Sequence, residues 1–217
     1  MTGTASYTLF YHPGFASLAV HLALAELELP YTLSPVNIPE GEGRERAYLA
    51  VNPHGQVPAL IETVGGQKGP PLTQCVAILE SLAERHPGRG LLPEDPEKRA
   101  EARIWMSYLS TTLQETFRRF FHPEDFVDVA AHEADVRRTG ERRLGEIFDW
   151  VEASLKDRGP YLTGVEPCAA DYLFFMLCRW GRYLSPAPTD HPAIAALIAA
   201  LAERPGVQKA LRTEGVL

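Results

Sequence analysis

The stretch Tyr7-Thr-Leu-Phe-Tyr-His-Pro-Gly-Phe-Ala-Ser17 decides the fold of the first part of the chain. Its β-rich beginning, Tyr7 to Tyr11, predicts a short strand that stops at the turn formers His12-Pro13-Gly14. The residues that follow, Ala16 to Glu28, are dense in Leu, Ala and Val, which predicts a helix buried on most of its surface. The chain therefore opens with a strand that runs through a tight turn into a buried helix.

Further strand and helix signals follow this unit up to residue 86. Pro35 would remove a hydrogen-bond donor from the second strand, so we expect that strand at a sheet edge. The predicted elements are a strand at Tyr31–Ile38, a short helix or turn at Arg44–Leu49, a strand at Val57–Glu62, the remnant of a fourth strand at Leu72, and a helix at Gln74–Arg85 capped by Thr73. This β-α-β then β-β-α order predicts a thioredoxin-like sheet.

The pattern changes after His86-Pro87-Gly88. Residues 87–96 are rich in Pro and Gly, which predicts a linker. Every long segment beyond the linker has a helical pattern, and the predicted helices are Glu97–Phe121, Asp125–Asp157, Ala169–Tyr183, Pro192–Ala202 and Val207–Leu211. The predicted fold class is thus α/β plus all-α, with a thioredoxin-like domain at 1–86 and an all-helical domain at 97–217.

Composition excludes several classes of protein. The 217 residues carry 21 Lys and Arg against 28 Asp and Glu, and the resulting net charge of -7 argues against nucleic-acid or anionic-membrane partners. The longest apolar runs are far shorter than the roughly 20 residues of a membrane-spanning helix, and the N-terminus lacks a signal-peptide pattern. Cys75, Cys168 and Cys178 form neither a disulfide framework nor a metal motif, so we expect no metal and a cytoplasmic location.

Three features of the first domain point to one binding site. The turn before the first helix offers unpaired N–H groups to an anion or a thiolate, and Ser17 either donates its hydroxyl to a sulfur or merely closes the turn. Gln56-Val57-Pro58 enters a strand, where a cis bond would turn the backbone of Val57 outward. Only about one in twenty X-Pro bonds is cis, so the isomer stays open.

The third feature is Gln74-Cys75, which opens a helix after Thr73. Backbone N–H groups at this helix start could bind a carboxylate, and the Gln74 amide could donate to the same group. Ordinary helix capping by Thr73 is the competing explanation.

Taken together, the motifs resemble those of a family. Phe10-Tyr-His-Pro-Gly-Phe-Ala-Ser-Leu18, Asn52-Pro-His-Gly-Gln-Val-Pro-Ala-Leu60, Leu72-Thr-Gln-Cys75 and Tyr161-Leu-Thr-Gly164 resemble, in order and spacing, the cytosolic glutathione transferases, most closely the bacterial beta class. The resemblance implies a homodimeric detoxification enzyme that binds glutathione as co-substrate at Gln56, Val57, Pro58, Gln74 and Cys75.

The departures from the beta-class pattern concern catalysis. Ala16 stands where the pattern has a Cys, so thiol exchange at this position is excluded, and Gln114-Glu115 stands where the pattern has His-Lys. A hydroxyl must then stabilise the glutathione thiolate. Ser17 is our first candidate and Tyr11 is the alternative, with His12 as a third donor.

The resemblance also implies a second-substrate pocket between the domains, lined by Phe15, Gln114, Phe117, Phe121 and Trp180. Such aromatic residues would suit a small hydrophobic electrophile, although at helical spacing they also fit an ordinary core. Two other functions use the same scaffold. Joint loss of the Cys and the His-Lys pair favours a non-catalytic ligand-binding or protein-interaction module, and the same site also fits a glutathione-dependent peroxidase or isomerase.

Overall fold

The structure is a computed structural model that describes residues 5–156 and 158–216. By their internal contacts the described residues group into two compact units, one of the residues up to Leu92 together with those from Ala202 onward, and the other of those between Pro93 and Leu201. The predicted helix end at Asp157 and the outer domain limits at residues 1 and 217 lie outside the described residues.

The first unit is built on one mixed sheet. In the described part of the chain its strands are β1 (Ser6–Tyr11), β2 (Tyr31–Pro35), β3 (Ala59–Val64), β4 (Gln67–Lys68) and β5 (Leu72–Thr73). The order is β2-β1-β3-β4, with β5 also paired to β3, and β2 runs parallel to β1 while β3 runs antiparallel to it. Pro35 ends the edge strand β2, which confirms the predicted edge position.

The first unit also contains helices. They are α1 (Ser17–Glu26), α2 (Arg46–Leu49), α3 (Cys75–Arg85) and α9 (Pro205–Glu214). Every residue of α1 except Glu26 is buried, as its dense apolar sequence predicts. The predicted cap of α3 was wrong, because Thr73 pairs with Ala59 in the sheet and Gln74 occupies the cap position without a side-chain hydrogen bond. The thioredoxin-like order of strands and helices is confirmed.

The second unit is helical, as predicted. Its helices are α4 (Pro96–Tyr108), α5 (Gln114–Phe121), α6 (Glu133–Lys156), α7 (Ala169–Trp180) and α8 (Pro192–Ala202). The single helix expected from residue 97 to 121 is interrupted by a π-helical turn at Leu109–Leu113. The helix expected from residue 125 begins only at residue 133, because Pro123–Phe126 and Ala130–His132 form 3₁₀ turns.

A buried carboxylate closes the start of α7. Asp171 accepts the backbone N–H of Cys168 at 2.8 Å and that of Leu162 at 2.9 Å. A thiol accepts hydrogen bonds poorly, so Asp171 supplies the cap that a Ser or Thr at position 168 would otherwise share. Burial raises the pKa of the Cys168 thiol to about 12, which keeps this sulfur protonated at neutral pH.

The last helix packs against the first one. Glu26 of α1 accepts the backbone N–H of Val207 at 3.1 Å and the guanidinium Nε of Arg204 at 2.5 Å. A Cβ on Gly206 would lie 2.8 Å from backbone atoms of Glu26, so a larger residue would push the helices apart. These contacts place α9 in the first unit.

A polar network built on the buried side chains of His21 and Glu214 completes this contact. Glu214 of α9 lies 2.7 Å from Nδ1 of His21 through one carboxylate oxygen, and accepts the backbone N–H of Gly14 at 2.8 Å through the other. The second ring nitrogen of His21 lies 3.1 Å from the hydroxyl of Tyr31. The end of the described chain thereby holds the turn between β1 and α1.

None of the helices within residues 5–156 and 158–216 combines the length and the apolar character that crossing a membrane requires.

Replacing Glu214 should destabilise the protein. Glu214→Ala leaves Nδ1 of the buried His21 without its carboxylate partner, and a buried group of this kind costs about 1–3 kcal/mol when it loses its hydrogen bond. We expect a loss of about 2 kcal/mol, which lowers the melting temperature by about 4–8 °C in a chain of this size. Calorimetry should show Glu203→Ala, an exposed residue, near the wild type. Equal melting temperatures for the two variants would contradict this role of Glu214.

Candidate functional site

Strand pairing brings three loop ends together at one edge of the sheet. Ala59, the first residue of β3, pairs with Phe10 of β1 on one side and with Thr73 of β5 on the other. Because β3 is antiparallel to both neighbours, its start lies beside the ends of β1 and β5. The residue before Ala59 and the residues after Phe10 and Thr73 therefore meet at the same edge.

Those neighbouring residues are Pro58 and Gln74, from two of the predicted site features, and Tyr11, which directly precedes the turn of the third. The Val57–Pro58 peptide bond is cis, which the sequence left open. The N–H and C=O of Val57 make no hydrogen bond to any residue that the structure describes. An extended ligand with amide groups could pair with both of them.

The turn between β1 and α1 is closed by the hydroxyl of Ser17. Its Oγ accepts the backbone N–H of His12 and donates to the C=O of the same residue, both at 3.2 Å. The side chain is fully buried. The backbone N–H groups of Ala16 and Ser17 make no hydrogen bond within the described ranges, so the start of α1 presents two donors.

Tyr11 and His12 place two more polar groups beside this helix start. The Tyr11 ring contacts His21 edge to face, and its hydroxyl has no hydrogen-bond partner among the described residues. The His12 ring packs edge to face on Phe15, with 4.4 Å between ring centroids, and its Nδ1 lies 2.9 Å from the C=O of Val36. Both side chains are half-buried.

Gln74 and Cys75 form the third side of the site. Gln74 has a φ of 70°, a left-handed conformation that non-glycine residues rarely adopt, and its side chain is exposed. The thiol of Cys75 donates to the C=O of Ala16 at 3.0 Å. Burial raises the pKa of Cys75 to about 12, so the thiol stays protonated and unreactive at neutral pH.

Two residues that the sequence analysis did not single out hold the loop before Pro58. The C=O of Gln56 accepts the hydroxyl of Tyr48 at 2.7 Å and the side-chain amide of Asn52 at 2.5 Å. Asn52 is almost completely buried. The motif Asn52-Pro-His-Gly was visible in the sequence, but nothing in it shows where the amide donates.

The predicted second-substrate residues are divided between the two units. Phe15 lies in the first unit and is 37% exposed, whereas the others belong to the second unit. Phe117 is fully buried there, stacks on Phe121 at 5.8 Å and meets Trp180 edge to face at 5.9 Å. Phe117 thus supports the position of the other two rings from within the core, and Gln114 directly follows the π-helical turn.

The second unit also carries an open groove along α4 that the sequence analysis did not predict. The groove has a volume of about 460 Å³ and is lined by Arg103, Ile104, Ser107, Tyr108, Thr111 and Thr112. The helical spacing of these residues was visible in the sequence, but no residue among them carried a chemical signal.

Comparisons with known proteins agree with this geometry. Residues 16–85 match the family model of the glutathione S-transferase N-terminal domain, and residues 108–205 match that of the C-terminal domain. Glutathione S-transferase GstA of Escherichia coli O157:H7 is 35% identical over 96% of this chain and 98% of its own. The maleylacetoacetate isomerase of Pseudomonas aeruginosa is 44% identical over 43% of each chain.

Solved structures share the whole architecture. A glutathione transferase homologue from Sulfitobacter, with bound glutathione, is 30% identical and superposes with a TM-score of 0.86 over 100% of both chains. The bacterial beta-class glutathione S-transferase of Sphingomonas chungbukensis is 27% identical and superposes with a TM-score of 0.81 over 97% of this chain and 100% of its own. Both domains and nearly the full length match, so the chain belongs to the glutathione S-transferase family and is a glutathione S-transferase enzyme.

Proposed function

We propose that this enzyme conjugates the thiolate of glutathione to a small hydrophobic electrophile, and that Tyr11 stabilises the thiolate. The observation that carries the proposal is the convergence of unpaired donors at one sheet edge. The N–H groups of Ala16 and Ser17, the backbone of Val57 and the hydroxyl of Tyr11 all lack partners among the described residues. A peptide that carries a thiol and carboxylates would satisfy them.

The energetics require a hydroxyl in addition to the helix start. Lowering a thiol pKa by about two units from about 8.5 takes about 2.7 kcal/mol of preference for the thiolate. A helix N-terminus contributes about 0.3–1 kcal/mol, and up to about 2 kcal/mol when it is partly buried. A hydrogen bond to a charged group adds about 1.5–3 kcal/mol, so the helix and one hydroxyl together suffice.

Hydrogen bonding favours Tyr11 over Ser17 as that hydroxyl. A hydroxyl has one proton, and that of Ser17 is donated to the C=O of His12 inside a fully buried side chain. Donation to a thiolate would break the bond that closes the turn. Tyr11 has no such commitment within the described residues, so its proton is available.

The remaining site residues would bind the backbone and a carboxylate of glutathione. We place the cysteinyl backbone of glutathione against Val57, beside Gln56 and Pro58, because the amide groups of Val57 are unpaired. A carboxylate of glutathione then lies at the start of α3, where Gln74 and the N–H of Cys75 can donate. The exposed ring of Phe15 is our candidate contact for the electrophile, and the family relationship supports a homodimer.

A second candidate is a glutathione-dependent isomerase of conjugated double bonds. The local identity to a maleylacetoacetate isomerase favours it. Addition of a thiolate to the double bond, rotation and elimination would use the same thiolate site and return the glutathione. The proposed transfer and the isomerisation thus differ in whether glutathione is consumed.

Removing the Tyr11 hydroxyl should lower the transferase rate. We expect Tyr11→Phe to reduce kcat/KM on aryl halide and enone electrophiles by about 10- to 100-fold, the effect of about 1.5–3 kcal/mol in the transition state. Ser17→Ala should instead lower the melting temperature, because it opens the turn at His12, and Tyr183→Phe serves as a control at an exposed ring. A rate that falls with Ser17→Ala at unchanged stability, and not with Tyr11→Phe, would reassign the donor.

Glutathione should bind through Gln74. At about 100 times its dissociation constant the ligand should add about 2.7 kcal/mol of stability. We expect Gln74→Ala to weaken binding at least severalfold in calorimetry, whereas Gln67→Ala, an exposed residue of β4, should bind as the wild type does. Failure of the wild type to bind glutathione would reject the proposed site.

Product analysis should separate the two candidate reactions. With maleylacetoacetate as substrate, an isomerase changes the double bond and leaves the glutathione concentration constant. A transferase forms a stable conjugate and consumes one glutathione per product. We expect conjugation of aryl halides and enones, and turnover of maleylacetoacetate without loss of glutathione would establish the second candidate instead.

A further inference from the structure

A hydrogen bond fixes which ring nitrogen of the neutral His12 imidazole carries the hydrogen. Its Nδ1 lies 2.9 Å from the C=O of Val36. A carbonyl oxygen can only accept a hydrogen bond, so Nδ1 must carry the hydrogen. In the neutral ring the other nitrogen, Nε2, then has a free lone pair and is a base.

The ring is also fixed in space. The ring of Phe15 packs against it edge to face, with 4.4 Å between ring centroids. The hydroxyl of Ser17 is hydrogen-bonded to the backbone N–H and C=O of His12. Ring, backbone and Nδ1 are therefore each restrained by a different neighbour. Nε2 has no partner among the described residues, although the side chain is half-buried.

The other titratable groups around this turn are already committed. Both ring nitrogens of His21 and both carboxylate oxygens of Glu214 take part in the buried network. The thiol of Cys75 is donated to Ala16, and Glu42 beyond the end of β2 accepts the N–H of Asn37 at 2.5 Å.

The hydroxyl of Tyr11 can donate its proton to sulfur, but a phenol oxygen is a poor acceptor of a second proton. Around the turn, within the described residues, Nε2 of His12 is thus the basic group that remains open.

We propose that Nε2 of His12 accepts the proton of the glutathione thiol as the substrate binds. The S–H bond breaks, an N–H bond forms at Nε2, and the product is a thiolate beside an imidazolium. On addition to an enone the imidazolium returns this proton to the carbanion, and on substitution of an aryl halide the proton leaves to solvent with the halide. The proposal rests on glutathione binding at the start of α1, as in the proposed function.

The number of protons released to solvent divided by the number of thiolates formed is a ratio that tests this assignment directly. The measurement is made at a pH between the ordinary values of imidazole, about 6.5, and of a thiol, about 8.5. Calorimetry in buffers of different ionisation enthalpy gives the protons released when glutathione binds, and ultraviolet difference absorbance gives the thiolate formed. For the wild type we expect a ratio near zero, because His12 retains the proton.

His12→Asn is the informative variant. The Asn amide can still donate to the C=O of Val36, but the base at Nε2 is gone. We expect the ratio to rise to about one proton per thiolate and the thiolate titration to move about one to two units to higher pH. Tyr11→Phe should reduce the thiolate formed while its ratio stays near zero. His132→Asn, at an exposed histidine of the second unit, should match the wild type.

The outcomes separate the two proposals. A wild-type ratio near one, or the same ratio in wild type and His12→Asn, overturns the role of His12 while glutathione binding still supports the site. A wild type that does not bind glutathione overturns the proposed function and this inference together. Melting temperatures of the variants show whether a change in ratio accompanies a loss of folding.

Discussion

The pairing of Ala59 with both Phe10 and Thr73 is the constraint on which the site depends. Strand register is fixed by backbone hydrogen bonds and by which face of each strand is buried, so a shift of one residue would turn every side chain of β3 over. The edge at which Tyr11, Pro58 and Gln74 meet would be lost with it. The position of the candidate site therefore rests on main-chain geometry in the sheet.

Hydrogen-bond commitments then decide which polar groups remain available for chemistry. Ser17 and Cys75 both lie next to Ala16, and both are used internally, one by His12 and the other by the C=O of Ala16. Their hydrogen bonds shape the start of α1. Tyr11 and Nε2 of His12 lie in the same turn without such partners in the described chain. Polar side chains that the sequence presents as equal candidates for binding thus differ in availability, because some of them already form hydrogen bonds inside the fold.

The sequence predicted the elements whose signal is local. The strand ending at Tyr11 and the buried helix α1 follow from β-rich and dense apolar runs, and α8 has the predicted bounds. The polar strand β4 was missed because two exposed residues carry no alternation. The π-helical turn after Tyr108 and the 3₁₀ turns before Glu133 were missed because each keeps a helix-like composition.

The sequence indicated the region of the candidate site but not the hydrogen bonds within it. Resemblance and helix-start physics brought Tyr11, Ser17 and Gln74 together, yet the hydrogen bonds between Ser17 and the backbone of His12 have no signal in the sequence. The contact of His21 with Glu214 spans 193 residues, and no local pattern encodes a partner at that separation.

The distance along the chain between Gly14 and Glu214 has a consequence for biosynthesis. The two residues are separated by 200 positions, and the second one holds the turn that carries the candidate site. A ribosome releases the N-terminal strands and α1 long before it has made α9. The face of α1 that packs against α9 therefore stays without that partner through most of translation, and the hydrogen bond from Gly14 to Glu214 forms only after the last helix emerges.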